Sequence, residues 1–185
     1  METKTHSKVY PLAMTAVMAS VMAVTAPFAI PIGPISLTLC TLIIYLNAYL
    51  LGWKRGTAAT AVYILLGVVG MPVFSGFGSG LAQVAGPTGG YILGYLPLAV
   101  IAGLAADHFP QNRPVQLAGM VLGTAVLYGL GTAWYCYQSG AALGTALGWC
   151  VIPFLPGDTL KILAAMLLGP LLRSRLRKAG IDPED

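Results

Sequence analysis

Residues 9–53, 56–106 and 114–157 contain no Asp, Glu, Lys or Arg. A charge in hydrocarbon costs roughly 2.5 to 3.5 kcal/mol on insertion scales, so long charge-free runs between short charged clusters read as membrane crossings. The first two runs are each long enough for two spans of roughly 20 residues. Each also breaks near its middle. In the first, Pro27, Pro31, Gly33 and Pro34 end one helix before another starts near Ser36. In the second, the stretch from Gly70-Met71-Pro72 to Gly89-Gly90 is too rich in glycine to be one continuous helix. The pattern predicts an all-α integral membrane protein with six transmembrane helices near 10–29, 37–53, 56–71, 90–107, 115–137 and 157–175. They form a single membrane domain over 1–185.

The charges between the spans give an orientation. Lys4 and Lys8, the turns Lys54-Arg55 and Asp107 to Arg113, and the tail Arg173, Arg175, Arg177 and Lys178 fall on one side. The positive-inside rule makes that side, with both termini, the cytoplasm, and places the chain in the cytoplasmic membrane. Lys161 is the one basic residue that does not fit, and Asp158 is the one acidic residue outside the tails and turns. They sit three residues apart at the outer end of the sixth span, on one helix face, where they can neutralise each other or clamp one ligand.

Composition narrows the function classes. The 185 residues are 57% hydrophobic and 9% charged, against about 25% charged for a soluble domain, which excludes an ordinary water-soluble enzyme. The net charge of +4 is scattered in pairs and a tail rather than arranged as a stripe with interleaved aromatics, so nucleic acid is not the partner; the lipid bilayer is. Pro27 directly after Val24-Thr25-Ala26 argues against a cleaved signal, so the first apolar run is expected to stay as a span. Cys40, Cys136 and Cys150 have no C-x-x-C spacing and read as small apolar residues. His6 and His108 fall outside the spans, there is no Ser/His/Asp set and no H-E-x-x-H, so catalytic residues, metal and cofactor are all expected to be none.

Two segments carry candidate chemistry. In Pro153-Phe154-Leu155-Pro156-Gly157-Asp158-Thr159-Leu160-Lys161, the proline and glycine break the chain and Asp158 caps or opens a helix. The alternatives are an N-cap with a snorkelling lysine or a polar site for a small solute, and an intramembrane ionisable pair favours the latter. In Phe74 to Gly80, followed by Gln83 and Gly86-Pro87-Thr88-Gly89-Gly90-Tyr91, the glycines let backbone approach a ligand or fold back as a cap. That segment lacks the Gly-Lys-Ser/Thr ending of a phosphate loop and lies on the outer side. Aromatic residues near span ends, Tyr45, Tyr49, Tyr95 and Tyr128 among them, read mainly as interface belts; Tyr91 and Trp149 flank the two polar segments and are placed to line a pocket. In the first span, Ala16, Ala19, Ser20 and Ala23 form two overlapping small-xxx-small pairs, which suit a partner subunit and internal packing equally.

Three stretches together resemble the BioY family, the biotin-specific substrate-binding (S) components of energy-coupling factor transporters. They are Gly67 to Phe74, Gly86 to Tyr95, and Pro153 to Lys161, within a similarity running from about residue 10 to 175. The resemblance implies a six-helix protein that binds biotin on its outer side and has no chemistry of its own. It implies partners too: a transmembrane coupling protein, onto which Ala16, Ala19, Ser20 and Ala23 would dock, and two cytoplasmic ATPases. By the same resemblance Asp158 and Lys161 meet polar groups of biotin, while Ser79, Gln83 and Tyr91 cover it. Thr38 belongs to a Thr-Leu-x-Thr segment opening the second span, in which this chain has Cys40 where the family pattern carries Gln. A different vitamin, thiamin or riboflavin, is the second reading; a small intramembrane enzyme using Asp158 or Lys161 is the third.

Overall fold

The structure is a computed structural model that describes residues 9–178 apart from Gly33. Glu2, Lys4, His6, Lys8, Gly33, Asp182, Glu184 and Asp185 lie outside the described residues. The chain is mostly helical: α1 (Val9–Thr25), α2 (Cys40–Val68), α3 (Leu81–Ala85), α4 (Gly89–His108), α5 (Arg113–Ser139), α6 (Leu143–Cys150) and α7 (Leu155–Lys178). Gly89–His108, Arg113–Ser139 and the stretch Leu143–Lys178 are long and apolar enough to cross a membrane; Tyr10–Thr25 is apolar but shorter.

The helix expected over 10–29 stops at Thr25, and an antiparallel hairpin follows, β1 (Ala29–Ile32) on β2 (Ile35–Thr38), with Ala29 opposite Thr38 and Ile32 opposite Ile35. The all-α expectation is corrected here. Pro31 and Pro34 forbid helix, but proline fits an edge strand, and the intervening isoleucines favour extended backbone.

The spans expected at 37–53 and 56–71 are the two halves of α2, and their turn lies at Gly52, before the charged pair rather than on it. Gly52 has φ +70°, a conformation that glycine adopts without a Cβ penalty. Nine residues of straight helix would separate Asn47 from Gly56 by about 14 Å, yet a Cβ on Gly56 would lie 3.3 Å from the Asn47 carbonyl oxygen, so the chain doubles back. Asp107, expected as a loop charge, closes that turn from the last helical turn of α4: the Trp53 N–H donates to its Oδ2 at 2.8 Å. The carboxylate thereby caps the second half of α2 and meets its positive dipole end.

The connection after α2 is irregular, as its glycines predict. Phe74 and Gly78 form an isolated bridge around a single 3-10 turn, Gly76 N–H donates to Pro27 O, and Gly80 N–H donates to Gly67 O at 2.7 Å. Between α5 and α7 the short helix α6 was not expected. Tyr45, Tyr63, Phe74, Met22, Leu98 and Met120 are fully buried at the centre, whereas leucines of α7 such as Leu167, 76% exposed, face outward. The interior is itself mostly apolar, and the outward leucines make the surface apolar as well, as a lipid-facing helix requires. Threonine hydroxyls in the helices are satisfied by donating to the carbonyl four residues back, as Thr60 does to Gly56 and Thr124 to Met120, which removes the cost of a bare hydroxyl in an apolar medium.

Candidate functional site

The N-terminal ends of α2 and α7 and the middle of α5 converge on Asp158, and the N-terminal end of α4 lines the space beside it. Pro156 sits in the first turn of α7, where its missing N–H costs nothing, and the helix has already begun at Leu155. Asp158 therefore points inward and does not act as the N-cap. Its Oδ1 accepts from Lys161 Nζ at 2.8 Å and from Thr41 Oγ1 at 3.3 Å; its Oδ2 accepts from the Tyr128 hydroxyl. Lys161 Nζ also donates to Thr41 Oγ1 at 3.2 Å. Asp158 is 5% exposed and Lys161 8%, so this is a buried ion pair rather than a lysine snorkelling to the interface.

The pair opens into a cavity whose walls include Leu37, Tyr95, Leu127 and Phe154. A second cavity shares Ile35, Ser36, Thr38, Tyr91 and Tyr95 with it and reaches Ser75, Gln83 and Thr88. The two adjoin across these shared residues, the first charged at Asp158 and Lys161 and the second neutral and polar at Ser75, Gln83 and Thr88. The β-hairpin and the Gly-rich segment are their cover. Gln83 Nε2 donates to Thr88 Oγ1 at 3.4 Å, and the Tyr91 hydroxyl pairs with Thr132 Oγ1 at 2.9 Å, tying α4 to α5 beside the cavity.

Of the residues expected at the site, Asp158, Lys161, Thr38, Tyr91 and Gln83 line this space. Ser79 and Trp149 do not. Ser79 is exposed between Gly78 and Gly80 on the outside of the bend. Trp149 is 52% exposed because its neighbour Cys150 faces the cavity, and adjacent residues on a helix point roughly 100° apart. Cys40 is buried but lines neither cavity. Thr41, Tyr95 and Tyr128 were missed as site residues. Tyr91 and Tyr95 are one turn apart on α4, and that shared-face spacing is the signal that could have found Tyr95.

On the first helix, Ala16 and Ser20 are exposed, Ala23 is half-buried, and Ala19, 1% exposed, packs inside the molecule. Ser20 Oγ donates to the Ala16 carbonyl at 2.9 Å, so the exposed face carries no unsatisfied hydroxyl.

A sequence model described as the BioY family matches residues 1–178. The chain belongs to the BioY family. Its relatives in that family include a biotin transporter BioY of Thermotoga maritima, 34% identical, with 90% of this chain and 95% of the relative aligned. A probable biotin transporter BioY of Pyrococcus horikoshii is 32% identical over 88% of this chain and 95% of the relative. The fold is similar to the crystal structure of the S-component for biotin from an ECF-type ABC transporter, with a TM-score of 0.84, 29% identity, and coverage of 90% of this chain and 92% of that one. As a BioY protein, the chain is a membrane-embedded transporter component rather than an enzyme.

Proposed function

We propose that this protein captures biotin at the outer side of the cytoplasmic membrane and delivers it inward as the S component of an energy-coupling factor transporter. It does so as a single domain of six spans, α1, the two halves of α2, α4, α5 and α7, with both termini cytoplasmic. A transmembrane coupling protein and two ATPases supply the energy. The observation that carries the reading is the buried Asp158–Lys161 pair at the end of an aromatic-walled cavity.

Counting valences suggests which end of the ligand meets the pair. A carboxylate has about four acceptor sites and an ammonium three donors. Asp158 has three acceptor sites filled, by Lys161, Thr41 and Tyr128, and Lys161 has two donors used, by Asp158 and Thr41. One acceptor and one donor remain side by side. A ureido edge, with an N–H beside a carbonyl, complements that arrangement; a carboxylate, which only accepts, does not. The valerate arm then lies between Tyr91 and Tyr95, with its carboxylate near Ser75, Gln83 and Thr88.

Calorimetric titration of the detergent-purified protein with biotin, with Asp158→Asn alongside, tests this. Nanomolar binding abolished in the variant is expected. A folded, monodisperse wild type that ignores biotin overturns the ligand, and competition by thiamin or riboflavin would then identify another vitamin. Biotin amides modified at the valerate end separate the orientation: they retain binding if the ureido group meets the ion pair, and lose it if the carboxylate does.

A further inference from the structure

The two segments that cover the cavities meet at a strained turn. Gly76 and Phe77 have φ of +66° and +62°, two successive left-handed residues closed by Gly78 N–H donating to Ser75 O at 3.3 Å. Turns of this kind favour Gly, Asn or Asp at both central positions, and a bulky residue with positive φ persists only where its surroundings hold it. Among the described residues Phe77 is the one non-glycine with a positive φ. Core burial does not explain it, because the residue is 58% exposed. What its ring does meet is Phe28, edge to face, with centroids 5.7 Å apart and planes at 76°. Beside it, the Gly76 N–H donates to Pro27 O at 3.0 Å.

One hydrogen bond and one aromatic pair thus join the turn to the start of the β-hairpin, and both sides border the ligand space. Ser75, before Gly76, lines the second cavity; Ala29, after Phe28, pairs with Thr38, which lines both. The base of the turn is fixed. Phe74 is buried with its ring 5.9 Å from that of Tyr63, and Gly80 N–H donates to Gly67 O. The exposed tip between these anchors is therefore the part of the segment that can move. We infer that Phe28 and Phe77 form a latch between the two covering segments, which sets how fast the ligand enters and leaves without touching it. Neither ring lines either cavity. An aromatic pair favours the joined arrangement by about two- to tenfold, enough to tune exchange and too little to prevent it. A glycine at position 77 would make the same turn more easily and have no ring to close it. The ligand's identity as biotin rests on the reading above, whereas the latch does not.

Cys150 reports on the latch in the ligand-free protein, since it lines the first cavity and is 1% exposed. Its labelling by a charged, water-soluble methanethiosulfonate is followed by peptide mass spectrometry. The rate should rise about two- to tenfold in Phe28→Ala, in Phe77→Ala and in Phe77→Gly, and no further when Phe28→Ala and Phe77→Ala are combined. Cys40, buried but lining neither cavity, should keep its wild-type rate. Unchanged Cys150 labelling overturns the inference. So does faster labelling of Cys40, which would mark general loosening, and so does a double variant whose effect is the product of the singles, which would separate the two rings. A Phe77→Gly protein that labels like the wild type would make turn strain, not the ring, the operative feature and overturn it equally. Biotin exchange gives a second readout: association and dissociation rates should rise together in the single variants, with the dissociation constant within about twofold of wild type. Faster dissociation alone, with affinity lost in proportion, would make the rings supports of the bound site rather than a latch. A wild type that binds no biotin overturns the function proposed above and leaves the labelling rates to decide the latch.

Discussion

Asp158 receives hydrogen bonds from Thr41 of α2, Tyr128 of α5 and Lys161 of its own helix, so three helices meet on one carboxylate. Stability and binding separate here. Removing one partner of a buried pair costs about 3 to 5 kcal/mol, because the other charge is left uncompensated, whereas replacing both by apolar groups is often neutral. Asp158→Asn should therefore lower the thermal midpoint as well as abolish biotin binding, while Asp158→Leu with Lys161→Met should recover much of the midpoint and none of the binding. A double variant that melts as low as Asp158→Asn would show that the pair carries the fold. Tyr128→Phe keeps the ring and deletes one donor to a charged acceptor, worth about 1.5 to 3 kcal/mol of stability, so its thermal midpoint should fall. The pair itself was legible in the sequence, since an ionisable residue in an apolar run is conspicuous. Thr41 and Tyr128 were not, because a threonine or tyrosine in a membrane helix reads equally well as a back-bonded hydroxyl or an interface belt, and only the tertiary fold brings its hydroxyl to Asp158.

At the scale of elements, helix contacts rest on glycines that face neighbouring backbones. A Cβ on Gly94 would fall 2.8 Å from Leu127, one on Gly123 2.8 Å from Leu98, and one on Gly103 2.5 Å from Trp53 Cα. The first two alternate between α4 and α5, so each helix offers a notch to a leucine of the other, the close approach that small residues permit in lipid. The Gly103 notch differs because its neighbour is backbone, at the turn of α2, and cannot move aside. Gly103→Val should therefore destabilise by about 2 kcal/mol or more, read as a fall in thermal midpoint, whereas Gly129→Ala, with open space at its Cβ, should not move it. Removing the cap with Asp107→Ala should cost about 1 kcal/mol and lower the midpoint by the same assay. The helical runs were readable from charge spacing and helix-breaking residues. The β-hairpin was not, because Pro27 to Pro34 announces the end of a helix without saying what replaces it, and α6 was hidden inside an apolar stretch with no polar face to mark it. The turn at Gly52 was misplaced by two residues because charge was taken as its marker, while the backbone required φ +70° at a residue without Cβ.

At the scale of the whole molecule, the cavity proposed for biotin and the helix proposed to dock the coupling protein must serve two partners without interfering. The cavity is built from α2, α4, α5, α7 and the two covering segments, and no residue of α1 lines it. Helix α1 packs against α2 through Met18, Ala19 and Met22 and turns Ala16 and Ser20 outward. A coupling protein could therefore grip the exposed face of α1 without touching a residue that lines the cavity, which the proposed transport requires if loading precedes docking. Ala16→Trp and Ser20→Trp should leave biotin affinity in detergent within twofold of wild type and abolish uptake by vesicles that contain the energising module. Ala19→Trp should behave differently: its side chain has no space, so the variant should lose thermal stability and biotin binding together. The contrast is diagnostic, because the three positions lie within one helical turn and differ in the direction they face. Uptake that survives Ala16→Trp and Ser20→Trp would place the coupling protein on another face, and the outward leucines of α7 would be the next surface to fill with tryptophan.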